Sequence, residues 1–229
     1  INTAAYHNVP VCEKNPDKCF QVNTIAIRNL ANICRAYNIM LIHFSTDYVF
    51  DGAKKQPYTE FDIPNPLNVY AISKLAGEFF VKQATSHYVI RVASLFGTAG
   101  CLGKGGTNFV KSILSLAKTK DTLQVTSNIT SSPTYTLDAA EKILEMLRNN
   151  YPSGLYHLTN SGYCTWYEFA QEIFRLSNIK INIEPKKEQE EQAGVRRPLF
   201  SALTSKKIIP MRPWQEALKH YLSARNRSK

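Results

Sequence analysis

The sequence predicts an α/β fold built on a doubly wound parallel sheet, and three observations predict it. Apolar runs of strand length alternate along the chain with longer segments of helical spacing, the order expected of βαβ units. The run Ile39 to Phe44 ends on three small polar residues, Ser45, Thr46 and Asp47. The chain opens with I-N-T-A-A-Y, which reads as the end of another strand. Small residues at the carboxyl ends of such strands let a ligand approach the backbone.

The elements follow in order. After Ile1 to Tyr6, the sequence predicts a helix from about Pro16 to Tyr37, with Phe20, Ile27, Leu30, Ile33 and Cys34 on its apolar side. The buried strand Ile39 to Phe44 comes next, then a helix from Tyr70 to about Ser86. His87 to Ser94 is a further buried strand; Arg91 inside it must find a carboxylate or backbone partner. Asn108 to Lys118 has amphipathic spacing, and Leu123 to Val125 should be a short strand. A helix from Thr136 to Asn150 is expected to be capped by Thr136 or a near neighbour. Gly154 to Asn160 reads as a strand, in which His157 is a single histidine with a structural role. Thr165 and Glu168 form a capping-box pattern that starts a helix running to about Ser177. Ile179 to Ile183 should be a strand, Glu184 to Glu191 a solvated charged connection, and Pro213 to Leu222 the last helix.

The chemistry concentrates between His43 and Glu78. Tyr70 and Lys74 are four apart on a helix, so their side chains project from one face. A phenol near pKa 10 is a poor proton carrier at neutral pH. A lysine ammonium one turn away would lower it, and a hydroxyl such as Thr46 could share the same substrate oxygen. A tyrosine and lysine at this spacing are usually an ordinary surface pair. The S-T-D at an upstream strand end makes a proton relay for a carbonyl and alcohol the better reading.

Composition adds bounds. The 229 residues can bury one sizeable core, or one domain with a smaller companion. The hydrophobic content of 44% is ordinary for a globular protein, and no apolar run approaches the roughly 20 residues of a membrane span. Five cysteines without a C-x-x-C spacing suggest reduced thiols in the cytoplasm and no zinc site. The net charge of +10 gathers towards the C-terminus, ending in Arg225 to Lys229, with no nucleic-acid-binding motif to organise it. We read it as a solvated end, so neither nucleic acid nor membrane is an expected partner.

S-T-D-Y-V-F-D-G, the following P-Y-T-E-F-D-I-P-N-P-L-N and Y-A-I-S-K-L-A-G-E resemble the extended short-chain dehydrogenase/reductase superfamily. Within it they are most similar to the dTDP-4-dehydrorhamnose reductases, and the likeness covers nearly the whole chain. It implies a Rossmann-like sheet over residues 1–97, and a mainly substrate-binding region over 98–229 from which 136–160 can return to the sheet. It implies reduction of a 4-keto dTDP-sugar with NADPH or NADH, with no metal assigned and a homodimer left open. Carried over residue by residue, it makes Thr46, Tyr70 and Lys74 catalytic. Ala4, Ala5, Tyr6, Asn23, Ser45, Tyr70 and Lys74 would bind the cofactor, and Thr46, Asp47, Ser94 and Arg197 the substrate. Arg197 lies in A-G-V-R-R-P-L-F-S-A-L, similar to the family's R-P-x-x-S-x-L, and arginine forks suit phosphate oxygens. Ser94 stands where these reductases typically carry a tryptophan, which puts the identity of the deoxysugar in doubt. Another nucleotide-sugar epimerase or dehydratase, or a non-catalytic binding subunit, remains an alternative.

A dinucleotide fold opens with a strand, a glycine-rich turn and a helix whose amides hold the pyrophosphate. Gly100 to Gly106 do not stand in that setting and read as a flexible loop near the sugar. The chain starts without Met inside an apparent fourth strand. The expectation is therefore an N-terminally truncated portion, inactive and weak in cofactor binding by itself.

Overall fold

The computed structural model describes residues 1–101, 105–189, 191–192 and 194–227. Part of the Gly100 to Gly106 loop, the residues at 190 and 193, and the last two of the basic tail lie outside the described residues.

Three parallel strands make the main sheet, in the order Leu41–Thr46, His87–Val92, Gly154–His157. Ile42, Tyr88, Ile90, Val92 and Tyr156 turn to one face. There they meet Ala139, Ile143 and Met146 of the helix Thr136–Arg148. Leu41 and Val89 turn to the other, against Ile27, Ala31 and Cys34 of the helix Ala26–Ala36 and Val81 of the helix Val69–Val81. Helices on both faces favour apolar residues along these strands, and the polar ones among them, such as His43, Ser45 and Arg91, are buried with partners. Ile1 to Tyr6 is mostly irregular. Its Asn2 forms a parallel bridge with His43, so this segment runs along the outer edge of Leu41–Thr46.

A second core is rich in aromatic rings. Phe96, Phe169, Trp214 and Tyr221 are buried there, with Phe109 stacked on Phe169 at 5.5 Å. The helices Phe109–Leu116, Trp166–Leu176 and Trp214–Arg227 supply most of it, over a parallel pair of strands, Thr122–Thr126 and Asn182–Lys186. Thr165 caps its helix with the full reciprocal box that T-W-Y-E predicts.

Several boundaries differ from expectation. The helix expected over Pro16 to Tyr37 is α-helical at Pro16–Phe20, widens into a π turn at Gln21–Ile25 and resumes at Ala26–Ala36. A short additional helix, Val9–Lys14, precedes it, capped by the Asn8 side chain. Of the two caps expected for the helix Thr136–Arg148, the near neighbour holds the position rather than Thr136. Tyr135 holds that position without a side-chain bond, and the Thr136 hydroxyl lies against Gly97, where no Cβ could fit. The strand expected at Ile179 to Ile183 runs over Asn182–Lys186, because its ladder with Thr122–Thr126 carries it into the charged stretch read as a connection. The last helix extends to Arg227. Arg91 does find its carboxylate: Glu78 binds it at 2.7 Å, both side chains almost fully buried. His157 is also satisfied internally, its Nδ1 3.1 Å from the carbonyls of Tyr58 and Thr204.

Candidate active site

The site begins where the strand Leu41–Thr46 ends. Thr46 keeps extended geometry and its Oγ1 accepts from the Tyr48 amide, starting a short 3-10 turn at Asp47–Val49. That turn directs Asp47 inwards, to 5% exposure. Its carboxylate accepts from the hydroxyls of Ser201 at 2.5 Å, Thr46 at 3.1 Å and Ser131 at 3.4 Å. Burial pushes the Asp47 carboxyl up to about 6, against the pull of these hydrogen bonds. Ser94 joins the same chain by donating to Ser131 Oγ at 2.8 Å. Its backbone is left-handed, with φ +43°.

Tyr70 comes from the first turn of Val69–Val81, a helix that Asn68 caps and to whose Val69 amide Glu13 also bonds. Burial of its phenol end raises the pKa above the ordinary range. A hydrogen bond with Thr46 opposes that shift, and Asp47 adds to it. Tyr48 lies edge-on at 6.2 Å. Tyr48 is itself pushed up to about 12, by burial and then by Asp47, while Arg197 draws it back. Arg197 Nε is buried with no hydrogen-bond partner, so this guanidinium reaches the site with a donor to spare.

Lys74 lies one turn deeper, at 2% exposure. Its Nζ donates to the Phe44 carbonyl at 2.6 Å and lies 3.2 Å from His43 Nε2. Burial brings it down to about 8, with Glu78 and then Cys19 opposing. The strand carbonyl and the imidazole hold the ammonium from the side of the strand. Ser45, the residue between, gives its hydroxyl to Glu78 at 2.5 Å.

Asn23 occupies the π turn, fully buried. Its Oδ1 accepts from the Tyr6 amide at 2.8 Å and its Nδ2 donates to the Tyr6 carbonyl at 2.8 Å and to Ser73 Oγ at 3.0 Å. Its amide is thus occupied in clamping the segment that carries Ala4, Ala5 and Tyr6. The residues proposed from sequence therefore form two neighbouring groups. Thr46, Asp47, Tyr70, Ser94 and Arg197 are linked around the strand end through Ser131 and Tyr48, while Lys74, Ser45, Asn23 and Tyr6 belong to the packing of helix against strand. Sequence reasoning missed Ser131, Ser201 and His43. Ser201 lies within the R-P-x-x-S pattern and so carried a signal; Ser131 and His43 carried only their places, before Ser132-Pro133-Thr134 and before F-S-T-D. Among the described residues no cluster of His, Cys, Asp and Glu could hold a metal.

The sequence profile of the family described as RmlD substrate binding domain matches residues 1–227. The spore coat polysaccharide biosynthesis protein SpsK of Bacillus subtilis (strain 168) is 37% identical over 230 residues, covering 99% of this chain and 79% of that protein. A dTDP-4-dehydrorhamnose reductase of Streptomyces griseus is 34% identical, over 95% of this chain and 74% of that protein. Among solved structures, a dTDP-4-dehydrorhamnose reductase from Clostridium acetobutylicum superposes with TM-score 0.90 at 37% identity, covering 98% of this chain and 80% of that one. The Bacillus anthracis reductase, solved in complex with NADP, gives TM-score 0.90 at 34% identity over 97% and 79% of the two chains. The α/β fold with parallel strands is the fold of these Rossmann-like reductases. With that fold, with S-T-D at the strand end and Y-x-x-x-K on the helix beside it, and with the profile matching residues 1–227, this chain belongs to the RmlD substrate binding domain family.

Proposed function

We propose that this protein reduces the 4-keto group of a dTDP-4-dehydro-6-deoxyhexose, the step from dTDP-4-dehydrorhamnose to dTDP-rhamnose, with NADPH or NADH as the reductant. The observation that carries the reading is the meeting of Thr46, Asp47 and Tyr70 at the end of a parallel strand, with Lys74 one helical turn below, in a chain of this family.

The residues present suit a nicotinamide nucleotide. The Lys74 ammonium has three N–H groups, and two face Phe44 and His43. Ala4 and Ala5 lie on the segment beside the sheet edge and present no bulk. The cofactor, when bound, supplies the hydride. Tyr70 holds a proton for the sugar C4 oxygen, and its raised pKa keeps it neutral and a donor until negative charge develops there. Thr46 hydrogen-bonds the same phenol and steadies it. Arg197 offers its unpartnered Nε to the anionic part of the substrate. Ser94, with Ser131 and Asp47 behind it, gives the sugar a hydroxyl wall. We further propose that residues 1–97, together with 136–160, form the cofactor half and that the rest of 98–229 forms the substrate half, a division supported by the two separate cores. A cytoplasmic site of action fits five cysteines that form no disulfide.

The test is Tyr70→Phe in the full chain, assayed with dTDP-4-dehydrorhamnose and NADPH or NADH. kcat should fall roughly 10²-fold or more with the sugar nucleotide still bound, the scale for losing a general acid. Turnover near that of the unaltered protein would refute the assignment.

A further inference from the structure

His43 is fully buried in the strand that leads to Thr46, and the proposed chemistry makes no use of it. Its ring lies between two polar groups. Nε2 is 3.2 Å from Lys74 Nζ, and Nδ1 is 2.9 Å from the amide of Asn2, on the segment that runs on to Ala4 and Ala5. We propose that His43 is a positioning residue for Lys74, a permanently neutral imidazole whose Nε2 lone pair takes one N–H of the ammonium and aims the remaining one into the site. The proposal rests on the reading of Lys74 as a working residue of the reductase.

Geometry supports it at each point. Phe44 O takes one N–H from the side of the strand, and Nε2, from the preceding residue, takes a second. Two fixed acceptors determine the direction of the third N–H, because the three bonds of an ammonium are tetrahedral. The groups facing Lys74 are Glu78 on its own helix, Cys19 from Pro16–Phe20 and His43 from the strand. Glu78 is committed to Arg91 and Ser45, and Cys19 to Ser73 and Asn23. Of these three groups, His43 offers Nε2 as the acceptor not committed elsewhere. Burial and then the adjacent ammonium hold His43 down to about 2, so it stays uncharged through the working range. An ammonium facing Nε2 requires the ring proton on Nδ1. The oxygen of the Asn2 amide, which otherwise accepts from the Ala4 amide at 3.2 Å, then turns to that proton by a half-rotation that gives up this exposed bond. The lysine is thereby linked through one ring to the segment proposed to carry the cofactor.

Two measurements test this on the full chain. Nitrogen NMR of labelled histidine should show His43 neutral, with the proton on Nδ1, from pH 5 to pH 8. Titration of the Lys74 side chain by NMR should show a lower pKa in His43→Phe, which removes the acceptor, and a pKa near that of the unaltered protein in His43→Gln, whose amide oxygen can replace it. In the same variants, the alkaline limb of the kcat/KM profile for the nicotinamide cofactor should move to lower pH in His43→Phe and stay in place in His43→Gln. A ring proton on Nε2, a charged imidazole, or an unmoved Lys74 pKa in folded His43→Phe would overturn the proposal. A moved Lys74 pKa with an unmoved cofactor profile would keep the positioning role and instead overturn the role of Lys74 in the reductase reading. Should His43→Phe not fold, the tautomer measured in the unaltered protein decides by itself.

Discussion

Lys74 places a charge where the fold disfavours one. The folded chain binds its proton more weakly, at about 8, than the ordinary 10.5 of an exposed lysine, mainly because burial strips the ammonium of water. The unfolded chain therefore takes up that proton first as pH falls. Stability present above pH 10.5 is lost on the way down to about 8, by on the order of 3 kcal/mol at about 1.4 kcal/mol per pH unit. Lys74→Met has no such proton to take up. Its stability relative to the unaltered protein should improve by that amount between about pH 10.5 and pH 7.5, while turnover is lost; chemical denaturation of both across that range checks it, and parallel curves would contradict it. Asp47 offers a second test. Ser201 provides its shortest hydrogen bond, so Ser201→Ala should move the carboxyl above its value of about 6, read by carboxyl carbon NMR. An unchanged or lower value would mean that Ser201 does not hold the ionised form.

At the scale of elements, the helix Val69–Val81 is set by how closely it approaches the π turn. Gly77 makes that approach possible. A Cβ there would sit 2.5 Å from the backbone carbonyl of Asn23 and 3.8 Å from His43 Nε2. The carbonyl belongs to main chain and cannot swing aside. Gly77→Ala should therefore lower stability by about 1–3 kcal/mol, the usual cost of overpacking. It should also lift the helix off the strand, so that kcat falls further than the loss of folded protein explains. A fully active, equally stable Gly77→Ala would show that the helix has room to shift. The π turn has a local reason as well: widening the helix by one residue brings Asn23 to both the Tyr6 backbone and Ser73.

Across the whole molecule, a buried polar chain joins the parts that the hydrophobic cores leave separate. Ser45 bonds Glu78, Glu78 pairs with Arg91, Arg91 faces His157 at 3.5 Å, and the His157 amide bonds Glu60. Glu60 also accepts from Ser205 and the Lys206 amide, which ties in the segment that delivers Ser201 to Asp47. Breaking the pair at its centre with Glu78→Gln leaves Arg91 charged and unmatched, and should cost about 3–5 kcal/mol in denaturation measurements. A loss under about 1 kcal/mol would mean that water or another group replaces the carboxylate. Phe169→Ala in the aromatic core should cost a similar amount, about 3–5 kcal/mol. Because Phe169 belongs to the other core, it should leave kcat per folded molecule unchanged.

The sequence by itself determined whatever depends on neighbours along the chain. Tyr70 and Lys74 share a helical face because residues four apart must, and the capping box at Thr165 needed only residues within one turn. The cost of burying a guanidinium was enough to demand a carboxylate for Arg91, though not to name Glu78. Only the tertiary structure decided which distant groups meet. His43 reaches Lys74 across 31 positions, and Ser201 reaches Asp47 across 154, through pairings that no local pattern encodes. It also decided that the Lys74 ammonium meets a strand carbonyl and an imidazole. Helical spacing puts two side chains on one face, but the strand packed against that face decides what each of them touches.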